Sequence, residues 1–217
     1  MKIMTQQDFP DGMIFRQDID VLADKIIHDD ISLIALHNAT QSVNLEPATE
    51  ELLEGRFAKD ADYEIRMDNV AALLACALRR RGKRCDWVWI PHNRMNESEV
   101  SGAAFLCVDH TIRCMDRFSI PNAAANTVLG IQIDNLEDWF YCLSMASWDH
   151  SGENFLSQWK ILNSCIIGKR LYGTVWLLGD FGITDSENIE SRACMMAGGW
   201  KSVDSDNDSG YKIWCNA

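Results

Sequence analysis

Apolar and polar positions divide the chain into a helical beginning and a strand-rich remainder. In residues 14–36, Ile19, Leu22, Ala23 and Ile26 recur at helical spacing behind Asp18, a capping residue, so the chain is expected to open with a helix. His28-Asp29-Asp30 interrupts the pattern before a second apolar run. Pro47 suits the first turn of a short helix carrying Leu52 and Leu53. Residues 55–63 are polar and read as a connector, with a lid as the alternative. Residues 68–81 make the plainest helix, with Asp68 as its cap and Gly82 where a C-cap belongs. Its buried stripe is Val70, Leu73, Leu74, Ala77 and Leu78. Arg79, Arg80 and Arg81 set positive charge against the negative end of the helix dipole, with a phosphate site as the alternative.

From Lys83 onward the pattern is that of strands. CDWVWI alternates and stops at Pro91, and AAFLCVDHTIRCMDRFSI reads as two strands, or one bent strand, around Asp109-His110. VLGIQI, WFYCLSM and YGTVWLL follow, the last two apolar enough to be covered on both faces. Between those two, Ser151 caps a helix with Phe155, Trp159, Leu162 and Ile166 on one face and Gly168 at its end. The tail reads as a hairpin turning at residues 204–210. The expected fold is therefore α+β, one globular domain over residues 1–217: a helical N-terminal third, then a mostly antiparallel sheet with a packed helix.

Charge narrows the partners. The formal net charge of −12 argues against non-specific nucleic-acid binding, which depends on Lys and Arg. It fits either plain solubility or an acidic surface offered to a basic host or effector protein. No apolar run reaches signal-peptide or membrane-spanning length, so the expectation is a cytoplasmic protein with no membrane partner. The eight cysteines include no C-x-x-C pair and read as reduced thiols.

Three motifs suggest chemistry and have plainer readings. Cys107, His110 and Cys114 have metal-like spacing, but a strand would turn Cys107 to the opposite face, and no metal is expected. A cysteine nucleophile at Cys107 or Cys85, with His110 or His92, requires contact in space. Asp204, Asp206, Asp208 and Gly210 superficially match a calcium loop, yet Cys215 stands where the bidentate acid belongs.

One stretch carries a resemblance. Tyr141-Cys142-Leu143-Ser144, Asp149, Leu156 and Trp159, with the strand from Gly173 to Leu178, resemble bacterial and phage-defence-associated domains of the ADP-ribosyltransferase fold. Ile14-Phe15-Arg16 before the first helix is similar to the opening of such domains. The resemblance implies a NAD-dependent enzyme acting on a macromolecular target. It implies Arg16 as the residue holding NAD, Ser144 shaping the nicotinamide-ribose pocket and Glu190, or Glu187, as the catalytic acid. Tyr141 or Trp148 would stack on nicotinamide. The alternative is an acidic, non-enzymatic inhibitor or accessory protein of a phage or mobile element, binding a basic protein.

Overall fold

The structure is a computed structural model that describes residues 1–9, 18–42, 69–92, 99–121, 123, 125–145, 152–181, 189–203 and 213–216. The chain divides into two compact units, Met1–Ile112 and Arg113–Ala217.

The first unit is a four-stranded mixed sheet in the order β1-β2-β4-β3, formed by β1 (Ile3–Thr5), β2 (Leu33–Ser42), β3 (Cys85–Pro91) and β4 (Glu99–Val108). β1 and β2 run parallel, while β4 pairs antiparallel with both β2 and β3. Helices α1 (Ile19–His28) and α2 (Val70–Arg80) share one hydrophobic cluster with Ile34, Leu36, Leu106 and Trp87 of the sheet. α1 buries Ile19, Leu22, Ala23 and Ile26, the stripe its spacing predicts. The neighbouring sheet residues Leu33, Ala35, Val88, Phe105 and Cys107, which alternation places on the opposite face, are buried as well.

Residue-level details differ from expectation around α2. Its cap is Asn69, whose side chain accepts from the Ala72 amide at 3.1 Å, while Asp68 lies outside the described residues. At the other end the Gly82 amide bonds the Arg79 carbonyl and the Lys83 amide bonds the Leu78 carbonyl. That double closure needs the left-handed backbone found at Gly82, where φ is +81°. The arginine run is absorbed structurally. Arg81 bonds Asp24 at 2.6 Å and Asp20 at 3.0 Å, tying α2 to α1, while Arg79 donates to the Cys85 carbonyl.

The second unit is a six-stranded mixed sheet in the order β5-β6-β7-β8-β10-β9. Its strands are β5 (Ile112–Ser119, whose first residue closes the first unit), β6 (Ala125–Ile133), β7 (Trp139–Ser144), β8 (Val175–Asp180), β9 (Lys201–Ser202) and β10 (Ile213–Asn216). β7 and β8 run parallel, joined through helix α3 (Gly152–Ile166). All six residues of β7 are buried, as a strand covered on both faces requires. Phe155, Trp159, Leu162 and Ile166 of α3 pack with Trp139, Tyr141 and Leu177 of the sheet, joined by Met195 of α4 (Ile189–Ala197) and by Trp200. Asp138 pins the start of the parallel pair, its carboxylate accepting from the Thr174 amide at 3.2 Å and the Trp176 indole at 3.0 Å.

This architecture corrects the expected one. The chain begins with a strand, and the described residues hold four α-helices and two mixed sheets, so the described part of the N-terminal third mixes β1 and β2 with α1, and the short helix expected after Pro47 lies outside the described residues. The reason is physical. β1 is only three residues long and is a strand because β2, far along the chain, supplies its ladder partners. β2 itself is buried along much of both faces and shows no alternation to read. No helix among the described residues is long and apolar enough to cross a membrane.

Candidate functional site

The most elaborately held backbone among the described residues of the first unit is a bulge in the middle of β2. Leu36 pairs with Ala104 and Ala39 with Gly102, so His37 and Asn38 together oppose Ala103 alone. A two-against-one mismatch of this kind bends the strand and re-aims the side chains it carries. Asn38 is exposed and His37 half-buried.

Three side chains fix the bulge. Gln6, in the 3-10 turn that follows β1, is buried; its side-chain oxygen accepts from the Asn38 amide at 2.8 Å and its nitrogen donates to the Asn38 carbonyl at 3.4 Å. Asp8 holds that turn by accepting from the Thr5 amide at 2.6 Å. His92, just beyond β3, places Nε2 at 2.8 Å from the His37 carbonyl. A carbonyl only accepts, so Nε2 carries the proton in this contact. Burial holds the His92 pKa below that of a free imidazole, which favours the neutral ring. Trp89 of β3 donates its indole N–H to the Ala39 carbonyl at 3.1 Å. To do so its ring passes over β4, and glycine at position 102 leaves it room: a Cβ there would meet the Ile90 backbone carbonyl and the Trp89 indole.

In the second unit, polar groups gather at the carboxyl ends of the parallel pair. Ser144 ends β7 and Asp180 ends β8, and the two are register partners. The Met145 amide bonds the Asp180 carbonyl at 2.7 Å, holding these ends together. Gly179 comes against the Leu143 carbonyl with φ at +141°, so no side chain fits immediately before Asp180. Ser144 is buried and Asp180 half-buried.

The residues singled out from sequence are placed as follows. Ser144 is at the strand end just described. Tyr141 is fully buried under α3, bonded to the Asp116 carboxylate at 3.0 Å and stacked on Trp139 at 5.8 Å, so its ring has no face free for nicotinamide. Glu190 is in the first turn of α4. Arg16, Trp148 and Glu187 lie outside the described residues, as do the 55–63 segment and the 204–210 turn. The cysteine-nucleophile reading fails on acidity, since burial pushes the Cys85 thiol up to about 12 and the Cys107 thiol higher still. Among the described residues no three His, Cys, Asp or Glu side chains converge to hold a metal ion. These residues do not by themselves make a divalent-metal centre.

Gln6, Asn38 and His92 were not visible as a site in the sequence. The one available signal was the polar pair His37-Asn38 set into an apolar run, which is how a bulge interrupts a buried strand.

No family model matches the chain, and no curated protein matches it. Solved structures do. An endonuclease/exonuclease/phosphatase family protein from Leptotrichia buccalis aligns over 93% of this chain and 81% of its own, with a TM-score of 0.69 at 19% identity. The endonuclease/exonuclease/phosphatase of Beutenbergia cavernae aligns over 99% of this chain and 63% of its own, with a TM-score of 0.64 at 11% identity. A mannosyl-6-phosphatase of Bacteroides thetaiotaomicron aligns over 92% and 76%, with a TM-score of 0.55 at 13% identity. Identities this low speak for the fold, and the fold is that of the endonuclease/exonuclease/phosphatase proteins.

This overturns the ADP-ribosyltransferase resemblance and, with it, the transferase activity. The matched residues follow β7, α3 and β8, a strand–helix–strand crossover between parallel neighbours, and that unit recurs in unrelated folds. The expectation of NAD rests on that resemblance alone. Nothing in the fold supports the acidic-inhibitor alternative.

Proposed function

We propose that this protein hydrolyses phosphate esters, using the endonuclease/exonuclease/phosphatase fold as its scaffold. The observation that carries the reading is the likeness, over nearly the whole chain, to structures of that name, one of them a mannosyl-6-phosphatase.

Within the first unit the His37–Asn38 bulge is the assigned phosphate-facing element. Hydrolysis builds negative charge on the phosphoryl oxygens, and donors fixed beforehand stabilise it without reorganising. The Asn38 carboxamide is a donor carried, exposed, on a backbone that Gln6, His92 and Trp89 hold in place. The net charge of −12 favours a small phosphate ester over a long polynucleotide as substrate.

The test is release of p-nitrophenolate from p-nitrophenyl phosphate, a monoester, and from bis-p-nitrophenyl phosphate, a diester. Turnover of either, falling by about a hundredfold in Asn38→Ala, is the expected result. Turnover of neither would overturn the reading, and turnover indifferent to that substitution would overturn the assignment of Asn38.

A further inference from the structure

β5 lies at one edge of the six-stranded sheet, bonded to β6 alone among the described strands. A short turn joins the two, so they run antiparallel, and the turn fixes which residues of β5 point outward. The Ile120 amide bonds the Asn126 carbonyl at 2.7 Å. Ladder bonds alternate along an antiparallel strand, so Asp116 and Phe118 direct their peptide groups to β6. Arg113, Met115, Arg117 and Ser119 direct theirs away from the sheet, and all four residues are exposed.

The side chains alternate as well. Asp116 and Phe118 lie on the face of Tyr141: Asp116 accepts from the tyrosine hydroxyl at 3.0 Å, and the Phe118 ring is 5.9 Å from the tyrosine ring. Arg113, Met115 and Arg117 therefore share the opposite face, an apolar side chain at 59% exposure between two cations. Arg117 has no hydrogen bond or ion pair among the described residues. Arg113 has Glu137 at 3.8 Å, with the two side chains 52% and 71% exposed, a pair that solvent screens. The other nearby carboxylates are taken up: Asp116 by Tyr141 and, at 3.4 Å, by Lys169, and Asp86 by the Ile112 amide at 2.9 Å.

We infer that the β5 edge takes up an extended acidic segment of another protein as an added strand, with carboxylates opposite Arg113 and Arg117 and an apolar side chain opposite Met115. The pleat sets the segment's pattern, which is acid, apolar and acid at every second position. An open edge ordinarily invites a second copy, and here the charges oppose one. Two-fold antiparallel pairing centred on Met115 sets Arg113 against Arg117 at both ends. Centred on Arg113 or Arg117 it sets an arginine against itself, and centred on Asp116 a carboxylate against itself. The register centred on Cys114 avoids like charges but carries Phe118 and Ser119 past the end of the copy's strand. The outward peptide groups separate a strand from a polynucleotide, whose phosphates would satisfy the guanidinium groups and leave the ladder unpaired. This inference is independent of the phosphate-ester reading.

The experiment is fluorescence anisotropy of a labelled heptapeptide titrated with the full chain. The peptide carries glutamate at its second and sixth positions, valine at the fourth and threonine elsewhere, and its control has lysine in place of glutamate. The expected result is binding of the glutamate peptide at least about tenfold tighter than of the control, weakened by added salt. Arg113→Glu with Arg117→Glu reverses the preference. Met115→Pro removes an outward N–H at an edge position that tolerates proline, and lowers affinity by about tenfold. Unchanged thermal unfolding of both variants shows that folding is intact. No binding of the glutamate peptide up to about 1 mM overturns the inference. So does a preference that survives the charge reversal, or an affinity indifferent to Met115→Pro. A concentration-dependent dimer abolished by Met115→Pro overturns it in favour of a second copy. Oligonucleotide binding lost in Arg113→Glu with Arg117→Glu, without peptide binding, overturns it in favour of nucleic acid.

Discussion

Gln6 holds Asn38 by both ends of one amide, with its oxygen on the Asn38 N–H at 2.8 Å and its nitrogen on the Asn38 carbonyl at 3.4 Å. The side chain thereby replaces the ladder bonds that the β2 bulge gives up, and it joins the end of β1 to the segment assigned to phosphate. Replacing Gln6 with Ala removes both bonds from a buried position. The expected loss is about 1–3 kcal/mol by urea unfolding, with a larger proportional loss of phosphate-ester turnover. A variant that loses neither would show that the bulge holds itself.

Gly102 makes room for the Ile90 carbonyl and for the Trp89 indole. Gly102→Ala should push β3 off β4 at Ile90 and break the indole's bond to the Ala39 carbonyl, destabilising by about 1–3 kcal/mol. Trp89→Phe with Gly102→Ala should cost somewhat less than the sum of the two single changes, because both lose the indole contact while the clash with the Ile90 carbonyl remains. A double variant costing more than that sum would contradict the arrangement.

Stability should fall at both ends of the pH range, for different residues. Burial lowers the His92 pKa from 6.5, so the unfolded chain binds a proton there that the folded one refuses. The His92 contribution is complete above pH 6.5 and is lost as pH falls through the folded value. Burial raises the Cys85 thiol from 9.0 to about 12, so its contribution is complete below pH 9.0 and lost as pH rises to about 12. Tyr141, raised from 10.0 by burial and then by the Asp116 carboxylate, acts in the same alkaline direction. Urea midpoints against pH should show the acid limb flattened by His92→Gln and the alkaline limb flattened by Cys85→Ala.

Thiol labelling of the native protein should separate its cysteines. Cys114 and Cys165 are exposed and should react with a disulfide reagent quickly near neutral pH. Cys76, Cys85, Cys107 and Cys142 are buried and should react only on unfolding. Fast labelling of Cys85 or Cys107 would reopen the nucleophile reading.

What the sequence made legible was local. The α1 stripe, the glycine closing α2 and the buried run of β7 each follow from period, capping or apolarity within one segment. What it hid depended on partners far along the chain. Ile3 to Thr5 form a strand only through Leu33 to Ala35. Gln6 is a clamp only because Asn38 comes beside it, and Gly102 matters because Trp89 and Ile90 of β3 come against it. The same limit explains the mistaken family. A strand, a helix with Trp159 and a second strand are legible as elements, but the sheet order that distinguishes folds is not written in any one segment.

The central claim is phosphate-ester hydrolysis at the Asn38 bulge. The measurement that tests it most directly is bis-p-nitrophenyl phosphate turnover by the full chain beside Asn38→Ala of matched thermal stability. The account predicts turnover by the native protein and a loss of about a hundredfold in the variant, carried in kcat. Equal turnover by the two proteins would contradict it.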